Sequence, residues 1–125
     1  MEKHDKIKQA YGSSKSYPEL VKNLIDTGVR TYTVDTATGT ILYRFDGGEN
    51  ILHSGEASRT INTKFSSDGT VTAIRTNQQG KSTYPEFMEQ IAAAGVRFYE
   101  ATLEGNRKRV TYIGNGGSYE ELIPV

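Results

Sequence analysis

No cysteine occurs in this chain of 125 residues, so disulfide staples, thiolate metal sites, iron–sulfur clusters and cysteine nucleophiles are excluded by inventory. Histidine is nearly absent. His4 stands near the start and His53 is alone in a strand-like stretch, and two distant imidazoles without a clustered carboxylate do not make a zinc site, which needs three or four converging ligands. Net charge is lacking as well: fifteen basic and fifteen acidic side chains cancel, which removes the electrostatic footprint of sequence-independent nucleic-acid binding and of an anionic membrane surface. No apolar run approaches membrane-spanning length, and the opening stretch MEKHDKIKQAYG is charged and has no apolar leader segment. The expectation is a soluble cytoplasmic protein with no membrane partner; a phage-encoded chain at work in the cytoplasm would look the same. The length suits one domain and is too short for two independent cores.

What is present is a repeat. Ser16 to Tyr32, SYPELVKNLIDTGVRTY, returns as Thr83 to Tyr99, TYPEFMEQIAAAGVRFY; at a constant offset Tyr17, Pro18, Glu19, Gly28, Val29, Arg30 and Tyr32 fall on Tyr84, Pro85, Glu86, Gly95, Val96, Arg97 and Tyr99. Each copy is predicted to be a capped helix. Ser16 or Thr83 accepts from the backbone N–H three residues on while Glu19 or Glu86 reaches back, and proline follows in the first turn, where no intrahelical donor is lost. Leu20, Val21, Leu24 and Ile25, matched by Phe87, Met88, Ile91 and Ala92, form an apolar stripe at helical spacing. Gly28 and Gly95 stand where a left-handed residue ends a helix, with a strand starting within two residues.

In chain order, Ile7, Ala10 and Tyr11 predict a short first helix over 3–11, broken by Gly12. Strand-like alternation follows the capped helix in 30–35, with Tyr32 and Val34 on one side, and again at Ile41, Tyr43 and Phe45; Asp46-Gly47-Gly48 then turns into a third strand over 50–54. Residues 55–69 read as a connector with room for one short strand. Val71 to Gln79 carries Ile74 in the position of Ile7 and is expected to be the second short helix. Tyr99, Ala101 and Leu103, then Val110 and Tyr112, repeat the hairpin; Asn115-Gly116-Gly117 repeats the tight turn before a closing strand over 119–125. The fold class is α+β, an internally duplicated helix-helix-meander with its helices on one side of the sheet and a pseudo-twofold axis. Repeat 1 covers about 3–54 and repeat 2 about 70–125, within a single domain over 1–125. Whether the two meanders make one sheet or two facing sheets stays open.

YPE, AAAGV, the strand pair with Tyr112, and the GG turn before a proline-ended strand are together similar to the YbcV-like family of uncharacterised bacterial proteins, some of them labelled phage envelope protein. The resemblance covers nearly the whole chain. It implies no activity, cofactor or site, because the shared motifs are structural.

Chemistry-bearing motifs are few. Gly80-Lys81-Ser82 before a helix resembles the end of a phosphate loop, but Arg75 stands where the motif needs glycine. The basic run Arg107-Lys108-Arg109 sits on a hairpin tip, and three charges in a neutral chain argue for a solvated loop rather than a nucleic-acid contact. Glu120 and Glu121 are adjacent, so on a strand they point to opposite faces and cannot act as a carboxylate pair. No catalytic residue, metal ligand or cofactor is assigned. The ligand-binding candidates are Tyr43 and Tyr112, equivalent strand tyrosines; Arg30 and Arg97, equivalent arginines suited to an anion; and His53. The leading reading is a binding or interaction module, self-associating as a homodimer through open sheet edges or taking a protein partner. The alternatives are a small-molecule enzyme or ligand-binding protein with a tyrosine-lined cleft between the repeats, and a phage structural or accessory protein.

Overall fold

The structure, a computed structural model, describes residues 2–123. Helices α1 (Lys3–Ser13) and α2 (Tyr17–Asp26) precede strands β1 (Val29–Asp35), β2 (Ile41–Phe45) and β3 (Asn50–His53). Helices α3 (Ser67–Gln78) and α4 (Tyr84–Ala93) precede β4 (Val96–Thr102), β5 (Arg109–Gly114) and β6 (Gly117–Leu122). The repeated helices start and stop where local chemistry dictates. Thr83 Oγ1 accepts from the Glu86 N–H at 3.3 Å and the Glu86 carboxylate accepts from the Thr83 N–H at 2.8 Å, a complete capping box. At α2 only half of the box forms, with Ser16 Oγ accepting from the Glu19 N–H at 3.3 Å. Gly28 and Gly95 take φ of +101° and +85° and donate to the Ile25 and Ala92 carbonyls, closing each helix one residue before a strand begins.

Boundaries differ from expectation most at α1, α3 and β6. Helix α1 continues through Gly12 to Ser13. Helix α3 begins at Ser67 rather than Val71, because Ser66 accepts from the Gly69 N–H at 3.0 Å, a cap set in polar sequence that apolar periodicity does not reveal. The connector therefore ends at Ser66, and it contains no strand. Strand β6 begins at Gly117 and ends at Leu122, while Pro124 and Val125 lie outside the described residues.

All six strands form one antiparallel sheet in the order β3-β2-β1-β4-β5-β6, so two facing sheets are ruled out. The halves meet at β1 and β4, where Thr33 faces Glu100, Tyr32 faces Ala101 and Val34 faces Tyr99. Register shifts between Val29 and Thr31 and between Val96 and Phe98 leave Arg30 and Arg97 as bulged residues at equivalent places. The helices pack on one face, burying Leu24, Met88 and Ile91 against Val29, Val34, Val96 and Leu103. The other face is free of helices, with Leu42, Phe98 and Ile113 set among threonines and charged side chains. Among the described residues no helix is long and apolar enough to cross a membrane.

The connector is ordered by its backbone rather than by a core of its own. Ala57 and Arg59 donate to the Thr38 and Ala37 carbonyls on the first hairpin, while Asn62 and Ser66 donate to Ala92 and Ala94 at the end of α4. Its Phe65 ring lies on two glycines: a Cβ at Gly114 or Gly117 would stand 2.7 Å from that ring. Both positions need the absence of a side chain.

Candidate functional site

Strand alternation sends Tyr32, Tyr43, Tyr99 and Tyr112 to the helical face, where helices deliver Tyr11, Tyr17 and Tyr84 to meet them. Phenol pairs with phenol. Tyr11 and Tyr43 hydroxyls lie 2.8 Å apart, Tyr17 and Tyr32 2.6 Å, and Tyr84 and Tyr99 3.1 Å. Tyr119 donates to the Glu121 carboxylate at 2.5 Å. Of the eight tyrosines, Tyr112 alone has a hydroxyl with no hydrogen-bond partner among the described residues, although its side chain is only 6% exposed. Its ring is fixed by Tyr99, at 5.3 Å between centroids, and by the edge of Phe87 at 6.5 Å.

Burial pushes the Tyr32, Tyr43, Tyr99 and Tyr112 phenols well above their ordinary value near 10. Near pH 7 these groups are neutral hydrogen-bonding groups and not bases. Glu121 is held below the usual carboxylate range, chiefly by Arg75, whose guanidinium reaches it at 2.6 and 3.2 Å, while partial burial opposes that shift.

Two clefts open on the helical face. The larger, about 650 Å³, has walls from Tyr17, Ile74, Gln78 and Tyr84 and a floor that includes Tyr112 and Glu121. The smaller, about 370 Å³, is lined by Ile7, Tyr11, Ile41, Tyr43 and His53. Several of their lining residues take like places in the two halves, while Tyr17, Tyr84 and Phe87 line the larger alone. Ile7 and Tyr11 lie on α1 where Ile74 and Gln78 lie on α3; Tyr43 and Ile41 lie on β2 where Tyr112 and Val110 lie on β5; His53 pairs with Ile41 as Glu121 pairs with Val110. The one change of ring for amide is Tyr11 against Gln78. A shallower groove of about 470 Å³ crosses the helix-free face beside Asp35, Arg44 and Arg97.

Against these positions the sequence candidates separate. Tyr43 and His53 line the smaller cleft, with His4 and Asp5 also at its rim, and Tyr112 lines the larger. The four strand tyrosines do not share one cleft. Arg30 and Arg97 lie at opposite ends of the β1–β4 ladder and do not converge on one anion. Each pairs within the domain: Arg30 with Asp46 at 3.3 Å and the Ile25 and Val29 carbonyls, Arg97 with Asp35. Arg107 and Arg109 both reach the one Glu120 carboxylate, at 2.6 and 2.9 Å, so the basic hairpin tip is partly neutralised within the domain. Gly80 ends α3 with φ of +73° and Thr83 caps α4, which accounts for the phosphate-loop-like run. Among the described residues no group of three or more His, Asp or Glu side chains is placed to hold a metal ion.

Tyr11, Tyr17, Tyr84 and Gln78 were not singled out by sequence reasoning. The signal for two of them was there: Tyr17 and Tyr84 recur as first helical residues at the offset that relates Tyr32 to Tyr99, so a pairing repeated in each half was readable.

Among curated proteins none matches the chain. The family model described as Protein of unknown function (DUF1398) matches residues 3–119, nearly the full length, and the chain belongs to that family.

Proposed function

We propose that the protein is a small-molecule-binding protein and that the larger cleft on its helical face is the site. The observation that carries this reading is Tyr112, whose largely buried ring presents a hydroxyl with no partner among the described residues to a cleft of about 650 Å³, within the size range of ligand pockets. Every other tyrosine hydroxyl is satisfied by a neighbour. Binding without turnover is the simpler role, since the phenols are neutral and Glu121 is occupied by Arg75 and Tyr119. The test is an NMR fragment screen with assigned amides. Compounds that shift Tyr112, Phe87 and Ile74 support the reading, and a diverse set that shifts none of them at millimolar concentration overturns it.

The architecture behind this site we infer to be an internal duplication in one domain, with a pseudo-twofold axis through the Thr33–Glu100 pair. Matching bulges, matching helix ends and corresponding clefts support it. A second reading, self-association, is favoured by the helix-free face and unpaired edges: Leu52 on β3 and Leu122 on β6 are 59% and 57% exposed. Light scattering over a concentration series tests it, and a strict monomer at high micromolar concentration removes it. A phage structural role would rest on the YbcV-like motifs alone, all of which serve the fold.

A further inference from the structure

The comparison of the two clefts identifies what the larger one lacks. In the first half Tyr11 supplies an aromatic ring above β2 and a hydroxyl 2.8 Å from that of Tyr43. In the second half the strand tyrosine is kept as Tyr112, its neighbour Tyr99 stands at 5.3 Å as Tyr32 stands at 5.9 Å from Tyr43, and the helix position holds Gln78. Gln78 does not replace the ring. Its amide oxygen accepts from Arg75 at 3.1 Å, and Arg75 in turn is drawn to Glu121. The cleft volume is larger, about 650 Å³ against about 370 Å³, and this cleft also reaches Ser16 and Tyr17 beyond the place of the missing ring.

We propose that the larger cleft binds a hydroxy-aromatic small molecule whose ring takes the place that Tyr11 fills in the first half and whose hydroxyl pairs with Tyr112. The proposal rests on the ligand-binding reading above and names its ligand class. Three features suit that class. The walls are aromatic and aliphatic, from Phe87, Tyr84 and Ile74. The Tyr99 and Phe87 rings hold Tyr112 so that its hydroxyl is pre-positioned, and a fixed partner loses less entropy on binding. A phenol both donates and accepts, so either orientation of the Tyr112 hydroxyl finds a complement.

The experiment is an NMR titration of the full chain with p-cresol and with toluene, which differ by the hydroxyl alone, using wild type, Gln78→Tyr and Tyr112→Phe. In wild type, p-cresol is expected to shift Tyr112, Phe87 and Ile74 and to bind about fivefold or more tightly than toluene, the factor that corresponds to one net hydrogen bond. Tyr112→Phe should bring the two ligands to equal affinity. Gln78→Tyr should abolish both while giving a thermal midpoint at or above that of wild type, because its ring repeats the Tyr11 arrangement. Equal affinity of p-cresol and toluene in wild type overturns the ligand class and leaves a binding cleft standing. Unchanged p-cresol binding by a folded Gln78→Tyr protein overturns the placement. Should neither aromatic bind while another fragment shifts the same residues, the class again falls alone; if nothing binds there, the class and the binding reading fall together. Tyr112→Phe removes one oxygen and keeps the ring, so the hydroxyl test does not depend on how Gln78→Tyr folds.

Discussion

The carbonyl oxygen of Lys64 lies 2.3 Å from where a Cβ on Gly95 would stand, whereas the nearest atom to the corresponding point on Gly28 is 3.6 Å away. Both glycines end a helix at positive φ, so any side chain is strained at either. Only Gly95 is also pressed by the connector. Gly28→Ala should therefore lower stability by about 1–2 kcal/mol, the left-handed penalty alone. Gly95→Ala adds the displacement of the connector backbone and should lower it by about 3 kcal/mol or more. Urea unfolding of both variants checks this, and equal losses would contradict it.

Thr36 and Leu103 form another instructive pair. Each is buried and donates its backbone N–H to a bulged arginine: Thr36 to the Arg97 carbonyl at 3.2 Å, Leu103 to the Arg30 carbonyl at 2.8 Å. Thr36 brings a hydroxyl that finds no partner among the described residues, at a place whose counterpart is wholly apolar. Thr36→Val keeps the shape and removes the unsatisfied group. We expect a gain of about 1 kcal/mol in the unfolding free energy; a loss would show that the hydroxyl is satisfied.

Stability should fall at both ends of the pH scale for different reasons. Burial raises the Tyr32 and Tyr99 phenols well above their ordinary value. Above the unfolded value near 10, the unfolded chain releases protons that the folded one retains. Stability is thus full below about pH 10 and lost as pH rises beyond it, by up to about 1.4 kcal/mol per pH unit for each such phenol. Glu121 runs the other way: Arg75 depresses its folded value, so its contribution is present above the unfolded value near 4.3 and disappears as pH falls through the folded one. Denaturant midpoints from pH 3 to 11.5 check both arms. Replacing Tyr99 with Phe should make the alkaline arm less steep and leave the acid arm alone.

The helix ends were legible because capping and left-handed termination are set within a few residues, as Thr83, Glu86 and Gly95 illustrate. The strand tyrosines were legible through alternation. The bulges at Arg30 and Arg97 were not, since a bulge is defined by the register of a partner strand that local sequence does not display. Phe65 and its glycine pair were invisible for a related reason: Gly114 and Gly117 read as turn glycines, and only the long-range return of the connector shows that they also make room for a ring. At the candidate site Tyr43 and Tyr112 could be named, but their partners come from helices, and the difference between Tyr11 and Gln78 gains meaning only once both helices lie over the sheet.

Separating the halves tests how far they depend on one another. A cut between residues 60 and 61 leaves Ala57 and Arg59 bonded to the first hairpin and Asn62 and Ser66 to α4, so each fragment keeps its own part of the connector. Each loses the β1–β4 pairing and the cover over its half of the core. Fragments of this size are marginal at best, and with that pairing and cover removed neither should show a cooperative transition as a monomer. An equimolar mixture should restore the six-stranded sheet and its thermal transition. The register also separates the fragments from each other. A copy of β1 replacing β4 would set Thr33 opposite Thr33, whereas a copy of β4 replacing β1 would set Glu100 opposite Glu100, and like charges directly opposite are destabilising. The first fragment should therefore dimerise at high concentration and the second should not, until Glu100→Thr removes the clash. Size-exclusion chromatography and circular dichroism decide it: a folded monomeric half, or a wild-type second fragment that dimerises as readily as the first, would contradict the expectation.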